Sequence, residues 1–172
     1  SEDRQLELVS RKAQIHEQLM ITSAVLLNGQ NLSEVLNTIL EAVKAIGFDR
    51  VGLYLLSNDE QLLVAQAQIN MGDNFVGLEL LVDSDHYIQT IFANAQPRVF
   101  RRDNNQRWPY ERELAKEDID EWVGVPLISH NKVIGILTAD NKLSQRSITK
   151  EELEPLSIFA AHAAAAIENT RL

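Results

Sequence analysis

The sequence contains no cysteine, and this absence excludes several kinds of chemistry. Without a thiol the chain has no disulfide, no thiolate zinc site, no iron–sulfur cluster, no cysteine nucleophile and no thioether link to a cofactor. Disulfides are rare in cytosolic proteins, so the composition fits a cytoplasmic location, which we expect for this protein.

Positively charged residues are also scarce. The 16 lysines and arginines stand against 25 aspartates and glutamates, which makes the formal net charge −9. Binding to phosphates requires clustered cationic side chains, so we expect neither nucleic acid nor an anionic membrane surface as a partner. No apolar run approaches the roughly 20 residues that a membrane-spanning helix requires.

Catalytic motifs are missing as well. The sequence has no G-x-S-x-G elbow, no phosphate-binding P-loop, no G-x-G-x-x-G and no H-E-x-x-H zinc motif. No element holds two histidines at the spacing of metal ligands, so we expect no metal site. We therefore predict that this chain is not an enzyme.

The first pattern that is present is a long amphipathic helix. From Arg4 to about Leu27 there is no glycine or proline, and apolar residues recur at three- and four-residue spacing. One stripe contains Leu6, Val9, Ala13, His16, Met20 and Leu27, and its neighbour contains Leu8, Ile15, Leu19 and Leu26. We expect its own domain to cover one stripe and a second chain the other, so residues 1–30 predict a signalling and dimerisation helix.

Residues 31–172 alternate between helical and strand patterns and predict one α+β domain. Strand patterns cover Arg50 to Leu56, Gln61 to Ile69, Leu78 to Val82, Arg98 to Phe100, Glu121 to Ile128 and Lys132 to Ala139. They predict a central antiparallel sheet of about five to six strands. The N- and C-terminal helices should pack on one face, and short helices and loops should cover the other.

Several residues mark the ends of the inner helices. Asn31 or Ser33 can supply the side chain that caps the second helix, and Gly47 is suited to follow its last turn. Asp83 or Ser84 can cap a third helix that continues through residue 95.

The last third of the chain carries its own local signals. His130 and Asn131 form the tip of a hairpin, where asparagine tolerates a positive φ. Thr149 and Glu152 have the spacing of a capping box at the start of a closing helix, about residues 150–172. Pro155 lies too deep for a regular first turn, so this helix should begin irregularly or kink.

The stretch from Arg101 to Asp120 is the least regular part and predicts a lid or binding loop. Trp108 and Tyr110 would stack on a planar ligand, and Arg101, Arg102 or Arg107 would meet an anionic group. The other residues of the predicted ligand site are Asp103, His86 and Tyr87, and His86 is the histidine best placed to contact a haem or another ligand. The alternative is that Trp108 plugs the core of its own domain.

The last predicted strand ends on Asp140, Asn141 and Lys142. These polar residues could form a ligand site or a structural tie to the next segment. Glu151 and Glu152 begin the closing helix a few residues later, and they are the expected ionic partners of Lys142. We predict a tie between Lys142 and Glu152 that holds the loop between strand and helix.

Four parts of the sequence form an ordered set. They are Ala95 to Val99 followed by Asp103, Trp122 to Ile128, Gly135 to Leu137, and the pair of segments Phe159 to His162 and Ala166 to Leu172. They are similar to a T-G-Q-P-x-x-x-x-D segment, to the last two strands and to the closing helix of one family. Together they resemble the GAF domain family over about Leu32 to Leu172.

The resemblance implies a sensor or dimerisation module of a multidomain signalling protein. We expect the chain to be part of a longer polypeptide, with an effector domain, first of all a histidine kinase, after its last helix. The implied partners are a second copy of the chain, through the terminal helices, and an unidentified small molecule. The alternative is a dimerisation and spacer module without a ligand.

Some branches of the family can be compared with this sequence. Members that attach a bilin, and members that reduce free methionine sulfoxide, use cysteines that are absent here. Members that bind cyclic nucleotides often carry N-K-x(n)-F-x-x-x-D-E. Asn141 and Lys142 match, but Ile148 replaces the phenylalanine, and Glu152 and Leu153 stand where aspartate and glutamate would be. A cyclic nucleotide is therefore compatible with the sequence but weakly supported.

Overall fold

The computed structural model describes residues 1–28, 31–105, 107–108 and 119–171. The helices of this part of the chain are α1 (Glu2–Leu27), α2 (Leu32–Ala45), α3 (His86–Asn94) and α4 (Leu153–Arg171). The strands are β1 (Arg50–Leu56), β2 (Leu62–Ile69), β3 (Glu79–Leu81), β4 (Arg98–Arg101), β5 (Glu121–Ser129) and β6 (Lys132–Asp140). These elements confirm the predicted α+β class.

Within the described residues, the six strands form one antiparallel sheet in the order β3-β2-β1-β6-β5-β4. Its centre is the pairing of β1 with β6, which runs from Arg50 opposite Asp140 to Leu55 opposite Gly135. The sheet thus places the end of β6 directly beside the start of β1.

One face of the sheet, called here the helical face, is covered by α2 and α4, and α1 packs on these two helices. Its buried side chains include Val51 and Leu53 from β1, Val125 from β5, Leu137 from β6, Ile39 and Leu40 from α2, and Phe159, Ala160 and Ala163 from α4. Each large apolar side chain buried in this way stabilises the fold by roughly 1.5–3 kcal/mol.

The opposite face, called here the aromatic face, is covered by α3 and by the loop that contains Phe75. Alternation along β1 explains both cores, because Leu53 points to the helical face and Tyr54 to the aromatic face. Layers on both sides of the sheet were predicted, and the structure confirms them. None of the described helices combines the length and apolar character that crossing a membrane requires.

Most of the local signals are confirmed. The side chain of Asn31 caps α2 by accepting the N–H of Glu34, and Gly47 follows that helix with φ +118°. His130 and Asn131 both have positive φ at the hairpin tip. Residues 149–152 form the capping box, and a 3₁₀ turn over 150–152 precedes α4, which is the irregular start predicted from the nearby proline.

The predicted cap of α3 is wrong. Residues 82–84 form a 3₁₀ turn, and Asp85 caps the helix instead of Asp83 or Ser84. The carboxylate of Asp85 accepts the backbone N–H groups of Tyr87 and Ile88, at 2.9 and 3.1 Å. Side chains that can cap a helix occur at three consecutive positions, Asp83, Ser84 and Asp85, so the sequence alone did not distinguish which one caps α3.

Candidate functional site

A group of packed rings occupies the aromatic face, and we call it the distal aromatic cluster. Its members are Tyr54, Phe75, Tyr87, Phe100, Trp108 and Trp122. Tyr87 lies among three of them, with ring centroids 5.0 Å from Phe100, 5.8 Å from Trp108 and 6.1 Å from Trp122. These edge-to-face contacts are the geometry that aromatic pairs prefer, so the cluster is a well-packed surface.

The position of Tyr87 follows from the start of α3. Asp85 fixes the first turn through its two accepted N–H groups, and this directs Tyr87 into the sheet while His86 remains exposed. The ring centroid of His86 lies 6.0 Å from that of Tyr87, at the rim of the cluster.

Two glycines in the sheet allow the covering layer to approach closely. A Cβ on Gly52 would lie 2.8 Å from Cζ of Phe75, and a Cβ on Gly124 would lie 2.3 Å from Cδ1 of Ile91. The gap that remains between layer and sheet is lined by Tyr54, Leu63, Leu80, Ile88, Trp122, Ile136 and Thr138. This gap is too narrow for a water molecule. At this gap, the side chains of the described residues fill the space between the sheet and its covering layer.

The structure brings two of the predicted site residues together, Tyr87 and Trp108. Tyr87 is buried, and Trp108 is half-buried over it at the edge of the cluster. Tyr110, the other aromatic residue of the predicted site, lies outside the described residues.

Arg101 and Asp103 are placed elsewhere. Along β4, Val99 packs on the helical face and Phe100 on the aromatic face, so Arg101 points to the helical face. Its guanidinium donates to the carboxylate of Glu121 at 2.7 Å and to the carbonyl of Ile148 at 3.2 Å. Arg98 lies on the other side of the strand, with its guanidinium carbon 5.7 Å from the Phe100 ring centroid. Successive side chains of β4 point to opposite faces of the sheet, and this alternation is the sequence signal that separates Arg98 from Arg101.

Asp103 stabilises a local turn. Its carboxylate accepts the backbone N–H groups of Asn105 and Arg107, both at 2.9 Å. Its own N–H donates to the carbonyl of Arg107 at 2.7 Å. These bonds shape the segment that leads into Trp108.

The end of β6 is tied to the start of β1 by buried charges. Arg50 makes a two-pronged ion pair with Asp140, and both side chains are buried. The backbone N–H of Lys142 also donates to Asp140, at 3.1 Å. Asp49 accepts the N–H groups of Leu143 and Ser144, at 2.8 and 2.6 Å, so the segment after β6 is held by the segment before β1.

Asn141 and Arg146 continue this junction. The side chain of Asn141 accepts the N–H of Asp49 at 3.3 Å and donates to the carbonyl of Arg146 at 2.9 Å. Arg146 donates in turn to the carbonyl of Gly47, and its guanidinium lies 5.1 Å from the ring centroid of Phe48. The asparagine of the degenerate N-K signature therefore has a structural function.

Glu152 is the centre of an ionic group that we call the Glu152 cluster, formed with Arg11, Arg146 and Thr149. Its side chain is 2% exposed and accepts bonds from Arg11 at 2.7 Å, from Arg146 at 2.8 Å and from the N–H of Thr149 at 2.9 Å. Burial would raise the pKa of Glu152, but the hydrogen bonds from Arg146 and Thr149 and the charge of Arg146 outweigh it and lower the pKa.

Arg11 and Arg146 bind the carboxylate of Glu152, whereas the sequence had suggested Lys142 as its ionic partner. Arg11 was missed because it lies on α1, far away in the chain. A signal for it did exist: Arg11 precedes Ile15 and Leu19 by four and eight positions on the same helical face.

A second contact joins α1 to α4. Thr22 is fully buried, and its hydroxyl lies 2.7 Å from Nδ1 of His162. Burial lowers the pKa of His162, which favours the neutral imidazole at this seam. Among the described residues, no group of three or more carboxylate or imidazole side chains has an arrangement that could hold a metal ion.

The fold and these sites can be compared with known proteins. The sequence profile of the GAF domain matches residues 31–167, most of the chain. The chain belongs to the GAF domain family. This GAF domain matches no curated protein.

Solved structures agree with the assignment. The GAF domain of a phosphoenolpyruvate-protein phosphotransferase from Coxiella burnetii is similar with a TM-score of 0.76 at 20% identity, over 92% of this chain and 95% of that one. The GAF domain of a sensor histidine kinase from Bacillus halodurans gives 0.66 at 24%, over 82% and 96%. The phycocyanobilin-bound GAF domain of a cyanobacterial phytochrome gives 0.72 at 16%, over 91% and 95%.

These likenesses establish the fold. GAF domains commonly act as sensory or regulatory modules of signalling proteins, where they occur with linked effector domains. This role is regulatory, although some structural neighbours come from enzymes, among them a free methionine-R-sulfoxide reductase from Neisseria meningitidis.

Proposed function

We propose that this GAF domain is a regulatory module that pairs with a second copy through α1 and passes changes of state along α1 and α4 to a linked effector. The observation that carries the proposal is the outer surface of α1. Leu6, Val9, Met20 and Leu27 are between 60% and 85% exposed there. A row of large apolar side chains on one helix face is typical of a surface that a partner covers.

The contacts of α1 support its role in the relay. Arg11 meets Glu152 just before α4, and Thr22 meets His162 further along, so the contacts follow the same order on both helices. The helices therefore run side by side in the same direction. A shift of α4 against the sheet would move α1, and with it the partner-facing surface. A histidine kinase is our proposed effector and the cytoplasm our proposed location.

The dimer is tested with the double variant Leu6→Asp/Met20→Asp. Both side chains are exposed in the single chain, so the melting temperature of the monomer should stay unchanged while charge repulsion abolishes pairing. Light scattering should show a dimer for the wild-type protein and a monomer for the variant. Leu143→Asp, an equally apolar and exposed site away from α1, is the matched control and should remain dimeric. A wild-type protein that stays monomeric well above micromolar concentration would contradict the proposal.

A second candidate function, binding of a small molecule at the aromatic face, is favoured by the position of Trp108. This half-buried ring covers the buried Tyr87, so a planar ligand that displaced it would find an aromatic surface beneath. Binding then requires a change of conformation, because the present gap is closed. The close packing of the described rings also supports the alternative, which is a dimerisation module without a ligand.

Thermal shift and calorimetry with nucleotides, haem, amino acids and organic acids test this candidate. A ligand of the aromatic face should raise the melting temperature of the wild-type protein, and the Trp108→Ala variant should bind it with altered affinity. Arg98→Gln removes the cation next to Phe100 and should weaken the binding of an anionic ligand only. If none of these compounds stabilises either protein and Trp108→Ala only lowers the melting temperature, Trp108 is a plug and this candidate fails.

A further inference from the structure

Helix α1 carries a seven-residue repeat on the surface that its own domain leaves exposed. When Leu6 is assigned to position a, the a positions are Leu6, Ala13, Met20 and Leu27, and the d positions are Val9, His16 and Ser23. All of these residues are exposed. The residues that pack on the domain are half-buried or buried and fall on the c, f and g positions; they are Arg11, Ile15, Gln18, Leu19, Thr22, Val25 and Leu26. The exposed repeat has the outline of a coiled-coil seam.

Two polar residues in the seam restrict how a second helix can align with it. In a parallel pair in register, each seam residue meets its own counterpart, so His16 and Ser23 face polar side chains. An antiparallel pair brings d residues opposite a residues. His16 and Ser23 would then be covered by apolar side chains, which leaves polar groups without partners.

The charges beside the seam favour the same alignment. Lys12 occupies a g position and Glu17 the e position five residues later, and both are exposed. In a parallel coiled coil, a g residue lies next to the e residue five positions further on in the partner, so Lys12 meets Glu17 of the partner subunit. An antiparallel pair places g beside g and e beside e, so it does not bring Lys12 next to Glu17 of the partner subunit.

We infer that a second copy of this chain docks on α1 as a parallel, in-register coiled coil, with Lys12 of each subunit paired to Glu17 of the partner subunit. The inference rests on the proposed function and adds the orientation, the register and the charged contacts of the partner. Both subunits then direct α4 the same way, because α4 runs parallel to α1.

Single cysteines test the orientation without interference, since the natural chain has none. The variants Leu6→Cys and Leu27→Cys should each cross-link under mild oxidation, because residues facing each other across a parallel seam lie within disulfide range. The control is Glu7→Cys, next to Leu6 but at position b, which points away from the seam; it should not cross-link. Denaturing electrophoresis without reductant gives the yield of dimer.

The outcomes separate this inference from the proposal on which it rests. Cross-linking of both seam variants, but not of Glu7→Cys, supports the parallel alignment. A dimer that cross-links only when Leu6→Cys is mixed with Leu27→Cys overturns that alignment and leaves the proposed dimer standing, because the two sites are roughly 30 Å apart on one helix. A wild-type chain that remains monomeric by light scattering overturns both.

Charge reversal tests the ionic contacts. Lys12→Glu and Glu17→Lys should each weaken the dimer by roughly fivefold at low salt, since each replaces attraction by repulsion on both sides of the seam. The double variant Lys12→Glu/Glu17→Lys should return to wild-type affinity, as measured by sedimentation. A double variant as weak as the single ones would overturn the ion pair.

Discussion

Glu152 shows how one side chain joins three separate parts of the chain. Its carboxylate is buried between Arg11 of α1 and Arg146 of the loop that follows β6, and it also closes the capping box with Thr149. Hydrogen bonds from charged donors to a buried carboxylate are stronger than those between neutral groups. Glu152 therefore links the position of α1 to the junction between sheet and α4.

The Glu152→Gln variant should destabilise the domain. The amide keeps the size of the side chain, but its NH₂ group would face the donors that the carboxylate now accepts. We expect a loss on the order of 2–3 kcal/mol, less than for a pair buried on both sides, because the arginine side chains are 30% and 33% exposed. Urea unfolding of both proteins measures this, with Glu151→Gln as the matched control, since Glu151 is exposed.

The stability of the wild-type protein and of Glu152→Gln should depend differently on pH. The pKa of Glu152 is lowered in the fold, so its contribution is complete above the ordinary glutamate value of 4.5 and is lost as the pH falls through the folded value. The wild-type protein should therefore lose more stability on acidification below about 4.5 than Glu152→Gln does. Parallel stability curves for the two proteins would contradict this linkage.

At the scale of the elements, α3 lies so close to β5 that the contact requires a glycine. A Cβ on Gly124 would approach Cδ1 of Ile91 to 2.3 Å, far below van der Waals contact. Ile91 is fully buried, so it has little space to rotate away. This contact sets the distance between α3 and the sheet. It therefore also sets the width of the gap between them.

Gly124→Ala should destabilise the domain by about 1–3 kcal/mol through overpacking. Ile91→Val removes the clashing methyl group and should by itself cost about 0.5–1.5 kcal/mol. In the double variant the two effects should not add, and the stability should exceed the sum predicted from the single changes. A double-mutant cycle by urea unfolding measures this coupling, and simple additivity would show that the clash is relieved elsewhere.

At the scale of the whole molecule, the two faces of the sheet are covered by different structures and can serve different functions in a signalling protein. The helical face carries α4 and α1, which lead to the surface proposed to bind a second copy. On the aromatic face, the described rings pack against one another and against the sheet. A signal that begins at the aromatic face would have to pass through strands such as β5, which contribute Trp122 to one core and Val123 to the other.

Much of the fold was accessible from local patterns. The elements and the capping box at Thr149 follow from short-range patterns, and the cap of α2 was narrowed to Asn31 or Ser33. The cap of α3 did not follow, because Asp83, Ser84 and Asp85 can all cap a helix, and the local sequence does not show which one stands before the first turn.

Less of the candidate site could be predicted from the sequence. Aromatic residues were expected at Trp108 and Tyr87, but Phe75, Phe100 and Trp122 complete the cluster from distant segments. Arg11, which binds Glu152 from α1, was missed for the same reason. Contacts between residues far apart in the chain leave no local pattern from which to infer them.

The sequence by itself determined part of the chemistry: it has no cysteine thiol to attach a bilin, and its net charge of −9 argues against nucleic-acid binding. The spacing on α1 already showed two apolar stripes. Only the tertiary structure decided which stripe faces the domain, that Arg98 lies near the Phe100 ring while Arg101 pairs with Glu121, and that rings from distant segments pack together on the aromatic face. The physical reason is that periodicity specifies the faces of one element, whereas packing between elements specifies which face is covered and by what.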